Sequence, residues 1–206
     1  MQSGISLIAV IDFETTGLLP AMGDRATEVA IVLVENGQIV DQFQSLMNAS
    51  VRLSSFITRF AGITNTMVTS APPAACVMND ASRFAGKAPL VAHNAAFDRK
   101  FWQAELQRAD QSADHAFAYT LLVSRRLYPH APNYQLGVLA NLHNLPAVGR
   151  AHRALADVQM AVALLGQIQG YLRTRHCVAQ PDHAMLMALQ RCARPAVPAL
   201  LLRYAA

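Results

Sequence analysis

The sequence predicts an α/β protein built on a mixed central β-sheet, an antiparallel meander followed by parallel strands, with helices packed against it. Three observations carry that expectation. Residues 5–13, 26–35 and 39–47 are apolar, strand-like runs joined by short linkers, and the linker between the last two is Asn36-Gly37, a pair suited to a tight hairpin. Beyond residue 53 the apolar spacing turns helical, and two short apolar runs, 89–92 and 115–119, sit between the helical stretches. Of the 206 residues, 53% are hydrophobic and 15% charged, which excludes wholesale disorder and suits one domain with a substantial core.

In chain order, the meander is followed by helical spacing over 54–61 and 74–86, a short strand at 89–92, and an amphipathic helix over 95–109 carrying Phe97, Phe101 and Leu106. A strand at 115–119 leads into a helix over 120–127, a turn at Tyr128-Pro129, a helix over 134–143 and a long helix from about His152 to Leu172. After Tyr171 the pattern loosens. RTRHCVAQPD reads as a linker before a helix at 183–192 and a Pro-bounded apolar end, PAVPALLLRY. The expected division is a domain over 1–172 and an appendage over 173–206, which docks on the domain or on a partner, either a DNA polymerase subunit or a second copy of the chain.

Several function classes drop out. No apolar run approaches the roughly 20 residues of a membrane span, so no membrane association is expected. The start MQSGISLIAVIDFE lacks a basic head and meets its acids early, so a signal peptide is not expected and the location is read as cytoplasmic. Cys76, Cys177 and Cys192 lie far apart without C-x-x-C spacing, which fits neither a disulfide framework nor a zinc site. The net charge of +4 is modest, but among 17 basic residues only Lys87 and Lys100 are lysines, and arginine pairs well with phosphate.

The chemistry begins in LIAVIDFETTGL, residues 7–18, where Asp12 and Glu14 break an apolar strand-like run. Side chains two apart on a strand share a face, so both carboxylates would aim at one spot beside the sheet. Burying one ionised carboxylate alone is costly, and two close together repel unless cations neutralise them. The pair is therefore either half of a divalent-metal site or two solvated acids at the tip of a strand that ends early. Asp98, within HNAAFDRKFW at 93–102, falls in the first turns of a helix, where the dipole favours a carboxylate. On position alone it is either an ordinary N-terminal acid or a functional one.

In HRALADVQM, residues 152–160, Asp157 is surrounded by Ala154, Leu155, Ala156, Val158, Met160 and Ala161. Its offset from His152 is a poor match to one helical face, which puts His152 at or just before the helix start, on a flexible lip beside Gly149 and Arg150. One strand thus supplies two acids and two helices one each. Four carboxylates suffice to hold two divalent ions about 4 Å apart, an arrangement that clamps the attacking and leaving oxygens in phosphoryl transfer. A histidine beside them can take a proton from the attacking water.

The three motifs VIDFETTGL, HNAAFDRKFW and HRALADVQM, in this order, resemble those of the DEDDh branch of the DnaQ-like 3′-5′ exonucleases. GITNTMV at 62–68 and YTLLVSRRLYP at 119–129 also look like family segments, and the resemblance covers about residues 5–170. It implies a ribonuclease H-like sheet and a metal-dependent 3′-5′ exonuclease that releases nucleoside 5′-monophosphates from single-stranded nucleic acid ends, with DNA favoured. A proofreading subunit acting mainly within a DNA polymerase complex, or an exoribonuclease, is the alternative. By resemblance, Asp12, Glu14, Asp98 and Asp157 would be the ligands of two divalent ions, Mg²⁺ or Mn²⁺, and His152 the general base. Thr15, Thr16, Gly17 and Leu18 would lie against the terminal nucleotide. His93 and Asn94 would shape the pocket or serve core hydrogen bonding, and Phe97 would touch substrate or pack. Where many relatives carry an acid or Cys this chain has Tyr119, and Arg125 and Arg126 are either phosphate contacts or a solvated basic pair.

Overall fold

The computed structural model describes residues 7–146 and 152–205. Five strands, β1 (Leu7–Thr15), β2 (Ala26–Glu35), β3 (Gln38–Leu46), β4 (Leu90–Ala92) and β5 (Phe117–Tyr119), form one sheet in the order β3-β2-β1-β4-β5. The expected meander is present: β1 pairs antiparallel with β2, and β2 with β3. Asn36 and Gly37 close the second hairpin with φ of 50° and 81°, the double positive φ of a type I′ turn. β4 and β5 then add in parallel, as expected of short apolar strands separated by helices. Residues 5 and 6 of the expected first strand lie outside the described residues, and at its other end β1 continues two residues further than expected.

The alternation along β1 sorts the core. Ile8 and Val10 face one side with Ala30, Val32 and Val34 of β2, while Ala9, Ile11 and Phe13 face the other with Val29 and Ile31. The second face is covered by α3 (Ala74–Ala85) and α4 (Ala95–Arg108), whose Phe101 and Trp102 are fully buried against it. The first face is covered by α5 (Thr120–Leu127), α6 (Leu136–Leu142) and the 23-residue α7 (Ala154–His176), which buries Val158, Ala161, Leu164, Leu165, Ile168 and Leu172. Two short helices, α1 (Ser55–Ala61) and α2 (Asn65–Thr69), precede α3 in the chain, capped by Ser54 and Thr64 side chains that accept from Ile57 and Met67 N–H. α2 was not expected.

The tail packs on the domain, one of the two dockings expected, but the start of its expected linker is helical. The proposed linker is helical as far as His176, and Cys177, in left-handed conformation at φ 53°, ends α7. Beyond it α8 (His183–Arg191) and α9 (Val197–Leu202) put Met185, Leu186, Leu189, Val197 and Leu201 into the same core as α7. Gln190 closes the open edge of the sheet: its Oε1 accepts from Tyr119 N–H at 2.7 Å and its Nε2 donates to Phe117 O at 3.1 Å, standing in for a sixth strand. Arg126 is a docking residue for this tail, donating to Cys192 O at 3.1 Å. No helix among the described residues is long and apolar enough to cross a membrane.

Candidate active site

Because β1 runs to Thr15, Asp12 and Glu14 stand inside the strand rather than at its tip. They occupy the same face as Ile8 and Val10, opposite Ala30 and Glu28 of β2. Just past Glu14 the ladder skips Thr27, a bulge of the kind that ends pairing and re-aims side chains beside active sites. Asp157, in the first turn of α7, brings its carboxylate to the same spot: one oxygen from each of Asp12, Glu14 and Asp157 lies within 4.8 Å of the others. Asp98, in the first turn of α4, is 2% exposed, and its Oδ1 has no hydrogen-bond partner among the described residues. Its charge is the strongest of those pushing on Asp12, which ties it to the group.

The electrostatics follow from burial and crowding. Asp12 is held well above the ordinary carboxylate range, first by burial and then by Asp98, Asp157, Glu14 and Glu28. Glu14 is pushed up to about 8 by burial, with Asp157 and Glu28 adding and Arg153 opposing. Burial raises Asp98, against the backbone N–H groups of Asp98 and Phe13. Burial also raises Asp157, against the charge and backbone of His152. Converging acids with an orphaned buried oxygen are what a divalent cation neutralises, so the residues present fit a hard-metal site.

The other expected site residues are placed as follows. His152 has φ 60° and lies two residues before α7; its ring is stacked on Phe60 of α1, centroids 3.9 Å apart, rather than among the converging oxygens. Gly149 and Arg150, the neighbours that imply a flexible setting, lie outside the described residues. Thr15 donates to Gly17 O at 2.6 Å, and Thr16 is clasped from both sides, its N–H donating to Arg25 O at 2.9 Å and its Oγ1 accepting from Arg25 N–H at 3.0 Å. A Cβ at position 17 would land on the Asp24 carboxyl, so a larger residue there must displace that side chain. That carboxyl accepts from Leu19 N–H at 2.9 Å and leaves Leu18 70% exposed at the rim.

His93 takes the core alternative. Its Nε2 donates to Tyr134 O at 2.9 Å and its Nδ1 accepts from Thr120 Oγ1 at 2.9 Å, so both nitrogens are engaged, and burial depresses its pKa to about 4. The backbone carbonyl of Asn94 accepts from Phe97 N–H at 2.8 Å at the start of α4, and the Asn94 side chain is exposed. Phe97 is half-buried against Phe101, centroids 4.9 Å apart.

Two ion pairs beside the site were not anticipated. Arg25 forks onto Glu105 of α4 at 2.8 and 2.9 Å, pinning the start of β2 under the Thr15–Leu18 turn. Glu28, fully buried on β2, takes the fork of Arg153 at 2.7 and 3.0 Å; burial alone would raise it, but Arg153, Gln44 and the Ala154 N–H hold it below the usual carboxylate range. An acid in the apolar run ATEVAIVLVE was the available signal for Glu28, by the same reasoning applied to Asp12.

Comparison with known proteins shows the family. The exonuclease (RNase T) family model matches residues 9–165, and the chain belongs to that family. The chain is 37% identical over 150 residues to the PolC-type DNA polymerase III of Caldanaerobacter subterraneus subsp. tengcongensis, an alignment covering 73% of this chain and 11% of that protein. It is 34% identical over 169 residues to the 3′-5′ exonuclease DinG of Bacillus subtilis, covering 80% and 18%. The chain thus spans a small part of the length of these relatives. Among solved structures, exonuclease X in complex with 5′ overhanging duplex DNA matches with TM-score 0.65 and 28% identity over 79% of this chain and 91% of that one. The nuclease domain of 3′hExo, a DEDDh family member bound to rAMP, shares the fold at TM-score 0.68 and 21% identity, over 82% and 94%.

Proposed function

We propose that the chain is a 3′-5′ exonuclease that hydrolyses single-stranded nucleic acid ends, DNA in preference to RNA, to nucleoside 5′-monophosphates. The observation that carries this reading is the convergence of Asp12, Glu14 and Asp157 within 4.8 Å, with Asp98, whose Oδ1 has no hydrogen-bond partner among the described residues, acting on Asp12. Two divalent ions, Mg²⁺ or Mn²⁺, held by these four acids would supply Lewis-acid activation of the phosphodiester and its attacking water. His152 takes the proton from that water as its oxygen bonds to phosphorus; the P–O3′ bond breaks, O3′ leaves as an alkoxide that takes a proton from solvent to become the strand's new 3′-hydroxyl, and the released nucleotide keeps a 5′-phosphate. To reach the reacting water the His152 ring turns from Phe60 toward the acids. The Thr15–Leu18 turn holds the terminal nucleotide, with Leu18 against its base.

The preference for single strands is supported by Phe56 and Phe60, 64% and 46% exposed and stacked with centroids 5.8 Å apart next to His152, a platform suited to unpaired bases. DNA is favoured because the relatives named above include DNA polymerases and an exonuclease solved with DNA. The deciding experiment is digestion of matched end-labelled DNA and RNA oligonucleotides with Mg²⁺ or Mn²⁺, reading polarity and product length. Mononucleotides released from the 3′ end of DNA are expected; 5′ attack or internal cuts would overturn the reading. The likeness to PolC-type polymerases also favours a second reading, a proofreading activity working with a DNA polymerase, which co-purification with polymerase subunits would establish.

His152→Ala should lower kcat by roughly 10²–10⁴ while single-stranded oligonucleotide binding and the Mn²⁺-dependent rise in melting temperature persist. Lost Mn²⁺ response would make His152 a ligand rather than a base, and undiminished kcat would assign the proton to another group.

A further inference from the structure

We infer that the ion pair between Glu28 and Arg153 is a positioning device for the general base, fixing the first turn of α7 and thereby the direction from which His152 approaches the acids. The inference rests on the reading of His152 as base. Glu28 itself is no ligand, because both of its oxygens are already used. Oε1 accepts from Gln44 Nε2 at 2.7 Å and the Arg153 guanidinium at 2.7 Å, and Oε2 from Arg153 Nε at 3.0 Å and Ala154 N–H at 3.2 Å. Glu28 therefore sits next to the metal-site acids, directly across from Glu14, without competing for their cation.

What it does instead is cap a helix from a distance. Arg153 is the N-cap of α7 and makes no side-chain cap of its own, leaving the first N–H groups of that helix in need of an acceptor. Glu28 supplies one to Ala154, from a strand 126 residues earlier in the chain. Asp157 N–H then donates to Arg153 O at 3.0 Å, so the residue gripped by Glu28 is also the start of the turn that carries Asp157.

The consequence for His152 is geometric. Its φ of 60° is a left-handed conformation that a non-glycine residue leaves readily unless its surroundings hold it. Its C-terminal neighbour is held by a two-pronged, planar contact that fixes orientation as well as distance. A buried ion pair adds little net stability over an apolar pair of the same size. Directional grip on the residue next to the base is what the pair adds.

A double-mutant cycle tests this with the full chain. Arg153→Lys keeps the charge and loses the fork; Glu28→Gln keeps the shape and loses the charge. Each is expected to fold with a cooperative melt and to lower kcat about tenfold or more, with KM for a short oligothymidylate within about threefold of wild type. In a His152→Ala background the same substitutions should cost less than about twofold, since a device acting through the base has nothing left to position. Equal losses in both backgrounds, which would place the effect on Asp157 and the metal site, or unchanged kcat in both single variants would each overturn the inference. Full activity of His152→Ala alone would instead overturn the reading of the base, and the two failures are told apart by that one variant.

Discussion

Asp12→Asn should abolish mononucleotide release and, in metal-free buffer at pH 8, raise the melting temperature of the same protein. Asp12 stands where burial and the charges of Asp98, Asp157, Glu14 and Glu28 all disfavour ionisation. Removing its charge empties a metal site and relieves a repulsive cluster with one nearly isosteric change. The sign of the pH effect follows from the raised acids. Glu14 titrates near 8 when folded against about 4.3 unfolded, so between those values the folded chain binds the extra proton. Metal-free wild type should therefore gain stability as pH falls from about 8, until His93, neutral when folded down to about 4 but protonated near 6.5 when unfolded, opposes the trend. Asp12→Asn should flatten the first limb and leave the second. Each kcal/mol relieved amounts to about 2–4 °C in a chain of this size. Added Mn²⁺ should stabilise wild type more than the variant. Residual turnover near the wild-type rate would remove Asp12 from the metal site, and a lowered metal-free melting temperature would show that its carboxylate contributes more through hydrogen bonding than it costs through repulsion.

Ending the chain after His176 should yield an unfolded or aggregating protein rather than a smaller enzyme. The cut removes Met185, Leu186, Leu189, Val197 and Leu201, each less than a tenth exposed, and uncovers the α5 and β5 surfaces on which α8 packs. At about 1.5–3 kcal/mol per buried side chain the loss is on the order of 10 kcal/mol, comparable with the whole stability of a typical domain. It also removes Gln190 from the Phe117–Tyr119 edge and so exposes a strand to edge-to-edge pairing. Soluble yield, a melting curve and nuclease assays on the truncated chain decide the matter. Gln190→Ala, which spares the packing, should cost about 1–3 kcal/mol and keep activity. A soluble, cooperatively melting truncated protein with full activity would make residues 177–206, the greater part of the appendage expected over 173–206, detachable.

The parts of the molecule that were legible in the sequence are those whose signal is local. Asn36-Gly37 marked the hairpin because few residues tolerate two consecutive positive φ values, and Asp12 and Glu14 were legible as a pair because a strand alternates with period two. Helix α2 escaped because five residues are too few to show a period, although Thr64 is its cap. RTRHCVAQPD looks like a linker because the apolar pattern loosens after Tyr171, yet nothing in it breaks a helix before Cys177, whose left-handed conformation ends α7. Glu28 and Arg153 were illegible as a pair because their contact joins positions 125 apart, and no local pattern says which buried acid meets which arginine. His93 was left open for the same reason, its partners being Thr120 and the carbonyl of Tyr134.

The alternation of β1 has a consequence for how such a chain can change over generations. Ile8 and Val10 on one face, and Ala9, Ile11 and Phe13 on the other, fix the phase in which Asp12 and Glu14 emerge toward α7. A single-codon deletion or insertion within this strand would carry both acids to the face of α3 and α4 and, in the same event, exchange the two halves of the core. Length variation is therefore barred from β1 by folding before catalysis can be put to any test. The acids travel through evolution locked to the hydrophobic pattern that precedes them, and new lengths can be accepted only outside the strand, as at the Asn36-Gly37 turn, where that phase is left untouched.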